Sequence, residues 1–94
     1  EAAARDLIEA AGYGELLAHR TGHGIGLDGH EEPWIVKGSD VLLDPGMCFS
    51  IEPGIYLPEF GVRSEVDVFI DASGGVHVTG GPLQTEVVPI LRGR

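Results

Sequence analysis

The chain has 94 residues, enough for one small domain with a modest core. Its 15 acidic residues against 6 basic ones give a formal net charge of −9, which argues against a nucleic-acid binder held by phosphate contacts. A single cysteine, Cys48, excludes an intramolecular disulfide and fits a reducing, cytoplasmic setting, and no apolar run approaches the length of a membrane span.

Residues 1–11 read as a helix. Ala4, Leu7, Ile8 and Ala11 form an i, i+3, i+4, i+7 apolar stripe opposite Glu1, Arg5 and Glu9, and Gly12 is placed to stop it. No Ser, Thr, Asp or Asn caps its start and no initiator methionine is present, so the chain is expected to be a piece of a longer protein. A linker over 13–20, with one helical turn expected at 15–18, leads into a glycine- and histidine-rich stretch at 21–33. Three of the four histidines, His19, His23 and His30, lie within twelve residues there. Residues 24–29 match G-x-G-x-x-G, but the dinucleotide fingerprint must follow an apolar strand and open a helix. Here polar residues precede it and Pro33 follows, so that reading is rejected. Trp34, Ile35 and Val36 read as packing.

Asp44-Pro45-Gly46 predicts a type II turn, with Pro at i+1 and Gly at i+2. Residues 47–52 then alternate as a strand, with Met47, Phe49 and Ile51 on one face and Cys48, Ser50 and Glu52 on the other. Pro53-Gly54 ends it, 55–57 is a brief apolar segment, and 58–61 is a turn. Residues 62–70 predict one long strand: Val62, Ser64, Val66, Val68 and Ile70 face one way, Arg63, Glu65, Asp67 and Phe69 the other. A turn at 71–75 makes 68–78 a hairpin, residues 80–82 break the chain, and 85–90 predict a last short strand at a sheet edge because of Pro89. The fold class is α+β in one domain over 1–94: an N-terminal helix followed by a mainly antiparallel sheet.

Three side chains stand out as a candidate metal set: His23 in the glycine stretch, Glu52 at the end of one strand, and Glu65 in the next. A nitrogen-plus-carboxylate set suits Zn, Mn, Co or Fe, and the single cysteine excludes a thiolate site. Two strands joined by a short connection can bring Glu52 and Glu65 together, and adjacent carboxylates repel unless a cation or proton lies between them. Plainer roles stay open: Glu52 can cap a turn, and Glu65 can pair with Arg63.

In order along the chain stand His19-Arg20-Thr21-Gly22-His23-Gly24-Ile25-Gly26, His30-Glu31-x-Pro33, Pro45-Gly46-Met47, Ile51-Glu52-Pro53-Gly54-Ile55-Tyr56 and Gly61-Val62-Arg63-Ser64-Glu65. This series resembles the successive signatures of the pita-bread metallopeptidases, in the branch of Xaa-Pro aminopeptidase and Xaa-Pro dipeptidase (prolidase). The resemblance spans essentially the whole chain and implies half of a pita-bread fold, the C-terminal one. It implies His23 as the single histidine ligand, Glu52 as the next ligand and Glu65 as the carboxylate bridging two divalent metals, manganese first, with cobalt, zinc or iron as alternatives. It further implies that His30 stabilises the tetrahedral intermediate, that His19 lines the substrate pocket, that Arg63 hydrogen-bonds the ligand set, and that Glu52 shuttles a proton. The implied reaction is hydrolysis of a Xaa-Pro bond in a proline-containing peptide by water shared between the metals.

The departures matter as much. The family's two aspartate ligands lie upstream of everything present; Asp6, on the first helix, does not match them. Ser64 stands where an apolar residue is usual, and Val66 where an acidic residue is common, with Asp67 next to it. The chain would thus supply three of five ligands and be inactive alone, and a half-fold would leave an apolar face for the missing N-terminal half or for a second copy in a homodimer. Two other functions stay open: a metal-free creatinase-like C–N hydrolase, and a non-catalytic half serving as a binding or assembly module. Retention of His23, Glu52 and Glu65 favours the metal enzyme.

Overall fold

A computed structural model of the chain describes residues 1–17 and 19–91. The helix α1 (Ala2–Ala10) is followed by seven short strands: β1 (Gly22–Gly24), β2 (Glu31–Ile35), β3 (Cys48–Ile51), β4 (Gly54–Tyr56), β5 (Gly61–Arg63), β6 (Val66–Ile70) and β7 (Val76–Val78). Five of them form an antiparallel sheet in the order β2-β1-β3-β6-β7, and β4 and β5 form a separate two-stranded ribbon. This is the expected α+β arrangement.

The helix stops where Gly12 predicts. The Gly12 N–H donates to Glu9 O (2.9 Å) and the Tyr13 N–H to Ile8 O (3.0 Å), a pairing that satisfies the last carbonyls of the helix. At the other end Glu1 makes no capping bond. Its carboxylate instead accepts from Arg5 (2.8 and 3.1 Å) and from the Thr21 hydroxyl (2.7 Å), which ties the helix to the start of β1. The apolar stripe is only half covered: Leu7 is 75% exposed, and with Ile8, Tyr13, Ile55 and Val62 it lines an open apolar groove against the ribbon. The helical turn expected at 15–18 is a 3₁₀ turn at Gly14–Leu16; residue 18 lies outside the described residues.

Glu32 and Pro33 bulge out of β2, where the β1–β2 register shifts between His23 and Gly24. Bulges bend a strand and re-aim its side chains, and Pro33 has no N–H to give the ladder. No helix follows residues 24–29, as the rejection of the dinucleotide motif requires. The type II turn forms as predicted, with Gly46 at φ 89° and the Met47 N–H on Asp44 O (3.2 Å). The core then collects from β2, β3 and β6: Ile35, Phe49, Val68 and Ile70 are buried, with Met47, Ile51 and Val66 packed against them. These are the predicted apolar faces of both long segments.

The single strand expected over 62–70 is two strands. β5 pairs with β4 and β6 pairs with β3, with a gap at 64 and 65. The cause lies opposite: Pro53 lacks an N–H, so only its carbonyl takes part, accepting from Ser64 N–H (3.2 Å). The strand expected over 85–90 is absent. Those residues are exposed and pair with nothing, and Pro89 removes one of the donors a ladder would need. The β6–β7 hairpin does form, with Val68 opposite Val78, around a turn organised by Asp71. Its carboxylate accepts from the Ser73 and Gly75 N–H groups (3.0 and 2.8 Å) and pairs with His77 (2.7 Å).

Candidate functional site

The interruption between β3–β6 and β4–β5 creates the site. Ile51 faces Val66 on one side of the gap and Gly54 faces Arg63 on the other. The two ladders therefore share one register, and within the gap Glu52 and Glu65 oppose each other across the two strand segments. Pro53 and the short connection at 57–60 thus place two carboxylates side by side.

His23 is brought to the same point by β1. A Cβ on Gly22 would run into the Ser50 carbonyl, and one on Gly24 into the Glu32 carbonyl. Only glycine permits β2, β1 and β3 to approach this closely around His23. Beside it the Glu52 N–H donates to Thr21 O (2.6 Å), locking the end of β3 to the start of β1. His23 is 9% exposed. Its Nδ1 lies 2.9 Å from the Gly24 carbonyl, which can only accept, so Nδ1 carries the proton. In the neutral ring Nε2 is then a lone pair, and it faces Glu52 Oε2 at 3.1 Å. Two acceptors at that distance need a proton or a cation between them. A ring held by a carbonyl at one nitrogen with the other presented beside a carboxylate is the donor chemistry of a divalent-metal site, and this pair fits one.

Arg63 donates to the other Glu52 oxygen (3.1 Å) and lies over the Tyr56 ring at 5.8 Å. Arg63 pairs with Glu52, not with Glu65 as its position two residues before Glu65 suggests. Burial pushes the Glu52 carboxyl up, but the Ser50 hydroxyl, His23, Arg63 and Glu65 outweigh it and hold Glu52 below the ordinary carboxylate range. Glu65 goes the other way: desolvation first, then the charges of Glu52 and Asp67, push its carboxyl up. Buried Asp67 Oδ1 has no hydrogen-bond partner. Three carboxylates thus adjoin with one cationic group, on Glu52 alone.

His23, Glu52, His19, His30 and Arg63 line one small open cleft of about 160 Å³, together with Arg20. The His30 ring lies against His23, centroids 4.2 Å apart. The His19 Nδ1 donates to the Arg20 carbonyl (2.6 Å), while its buried Nε2 has no partner and sits in the space left by Gly54, beside the edge of Tyr56. Glu65 does not join them. It lines a neighbouring cavity with Asp67 and residues 79–84, and among the described residues no group of three or more His, Cys, Asp or Glu side chains is arranged to hold a metal ion. The physical reason is charge: Glu52 is drawn to His23 and Arg63, whereas Glu65 meets only other carboxylates.

Sequence reasoning passes over Ser50, Arg20 and Tyr56. Ser50 has no exposed surface, and its hydroxyl accepts from the His23 N–H (3.1 Å). A buried hydroxyl without a partner costs about 1–3 kcal/mol, so a polar residue on the Glu52 face of β3 was itself a signal. Arg20 lies over the Trp34 ring at 4.4 Å.

The family model described as metallopeptidase family M24 matches residues 1–72. The chain is 54% identical over 91 residues, 96% of its length, to a probable dipeptidase PepE of Mycobacterium tuberculosis, of which it covers 24%. It is 50% identical over 91 residues, again 96% of its length, to a Xaa-Pro dipeptidase of Lactobacillus helveticus, of which it covers 25%. The chain thus spans about a quarter of the length of the curated relatives it matches. The crystal structure of dipeptidase PepE from Mycobacterium ulcerans matches with a TM-score of 0.81 at 49% identity, over 95% of this chain and 24% of that one.

Proposed function

The chain belongs to metallopeptidase family M24, and on that footing we propose that it is the C-terminal portion of a pita-bread catalytic domain that hydrolyses Xaa-Pro peptide bonds in the cytoplasm, as a prolidase or an aminopeptidase. The observation that carries this reading is the approach of His23 Nε2 to Glu52 Oε2 at 3.1 Å, with the imidazole fixed from behind by Gly24. His23 and Glu52 would hold a divalent metal, manganese in the first instance, and Glu65, opposite Glu52 in the register, would hold a second one jointly with it. Bound there, the metals supply a Lewis acid for the scissile carbonyl and lower the pKa of water.

The chain's own residues do the rest. Arg63 holds Glu52 Oε1, and the carboxylate so fixed would take a proton from attacking water and pass it to the departing proline nitrogen. His30, beside His23 and open to the cleft, donates to the oxygen that gains charge as the carbonyl becomes tetrahedral. His19 lines the cleft wall and would shape the substrate pocket there. Further ligands would come from the N-terminal half of the domain, so the 94-residue chain by itself is expected to have no measurable peptidase activity even with added metal.

The test is to supply the complete protein that carries this segment with Mn²⁺ or Co²⁺ and follow cleavage of a Xaa-Pro dipeptide and of a longer Xaa-Pro peptide. Cleavage of the dipeptide alone identifies a dipeptidase; cleavage of the longer peptide identifies an aminopeptidase. Glu65→Ala is expected to abolish activity, and retained activity in that variant refutes its bridging role.

A further inference from the structure

His23 occupies a weak place in the sheet. β1 meets β3 at only one paired position, Gly24 opposite Phe49. Backbone bonds flank it, Glu52 N–H to Thr21 O (2.6 Å) and Ile25 N–H to Cys48 O (2.8 Å). Between them the His23 N–H finds no carbonyl on β3; it donates to the Ser50 hydroxyl at 3.1 Å, and that hydroxyl, whose one proton also serves Glu52, lies 3.5 Å from the His23 carbonyl. Ser50 is completely buried, and no other side chain bonds the His23 backbone among the described residues. It also stands two residues before Glu52 on the same face of β3.

We infer that Ser50 is a positioning residue: its hydroxyl clamps the backbone of His23 and thereby fixes the imidazole in the orientation that presents Nε2 to Glu52. The inference deepens the metallopeptidase reading of this cleft and rests on it for its consequence, though not for the clamp. The logic is geometric. The ring is steered by the bond from Nδ1 to the carbonyl of the very next residue, Gly24. That bond holds only while the backbone at 23 and 24 keeps its orientation, and glycines on either side of His23 give it little stiffness of their own. A buried hydroxyl accepting from the N–H of residue 23 supplies the constraint the glycines lack. Ser50 touches no substrate; it acts through His23, and its hydroxyl also stands against Glu52, so the His23 ring signal is the readout that isolates the clamp.

The experiment compares Ser50→Ala with the unaltered complete protein, and uses Phe49→Leu as a control that loosens the same strand without removing the hydroxyl. In metal-free protein, the His23 Nδ1–H is expected to give one sharp ¹H–¹⁵N signal, protected by its bond to the Gly24 carbonyl, in the unaltered protein and in Phe49→Leu, and a broadened or missing signal in Ser50→Ala. Calorimetric titration with Mn²⁺ is expected to give about tenfold or more weaker binding in Ser50→Ala only, the size of effect seen when an outer partner of a metal ligand is removed. With Mn²⁺ saturating, kcat should fall while KM for the dipeptide changes little. An unchanged His23 Nδ1–H signal in Ser50→Ala, or Mn²⁺ binding weakened equally by Phe49→Leu, overturns the inference. If the unaltered protein binds no Mn²⁺, the metallopeptidase reading fails, and the His23 ring measurement still decides the role of Ser50.

Discussion

Glu52 and Glu65 have the same side chain and opposite fates, and their neighbours explain the difference. Glu52 is held below the carboxylate range because a hydroxyl, an imidazole and a guanidinium surround it; Glu65 is pushed up because burial and two carboxylates do. A raised carboxyl makes a definite statement about stability. The unfolded chain releases this proton near pH ~4.3 and the folded chain holds it to higher pH, so the metal-free fold is favoured below that value and loses stability as pH rises through the folded pKa. Replacing Glu65 by Gln removes the repulsion. Thermal melting of metal-free protein is therefore predicted to show a higher Tm for Glu65→Gln than for the unaltered protein at pH 7, and a difference that shrinks toward pH 4. A lower Tm at pH 7 contradicts the assignment of repulsion at this position.

At the scale of elements, most of the sheet was legible in the sequence because period-two alternation and turn chemistry are local. Met47, Phe49 and Ile51, and Val66, Val68 and Ile70, lie on the core side as read, and the turns at Pro45-Gly46 and around Asp71 form where their residues demand. What was not legible was non-local. The break in 62–70 comes from Pro53, a residue on the facing strand, and no pattern within 62–70 announces it. The strand expected over 85–90 has the right residues but no neighbour to pair with, and a strand is defined by its partner. The site divides in the same way. His23, His19, His30, Glu52 and Arg63 were legible by motif and share one cleft. Ser50 was not, since a serine in an apolar strand acquires meaning only when β1 is seen to cross it at His23.

For the whole molecule the question is what the fold leaves uncovered. Among the described residues the buried core is Ile35, Phe49, Val68 and Ile70, while Leu7, Leu42, Leu83, Val87 and Ile90 are each more than 60% exposed. Apolar surface of that extent draws other chains to it. On the function proposed above, the N-terminal half of the domain would cover it, and in the isolated chain a second copy would. Size-exclusion chromatography of the 94-residue chain is expected to show dimers or larger species; a compact, well-behaved monomer contradicts this. The central claim is that His23, Glu52 and Glu65 are this segment's share of a two-metal site. Counting Mn²⁺ ions bound per complete protein tests it most directly: the account predicts two in the unaltered protein and at most one in Glu65→Ala, whereas equal counts in both would contradict it.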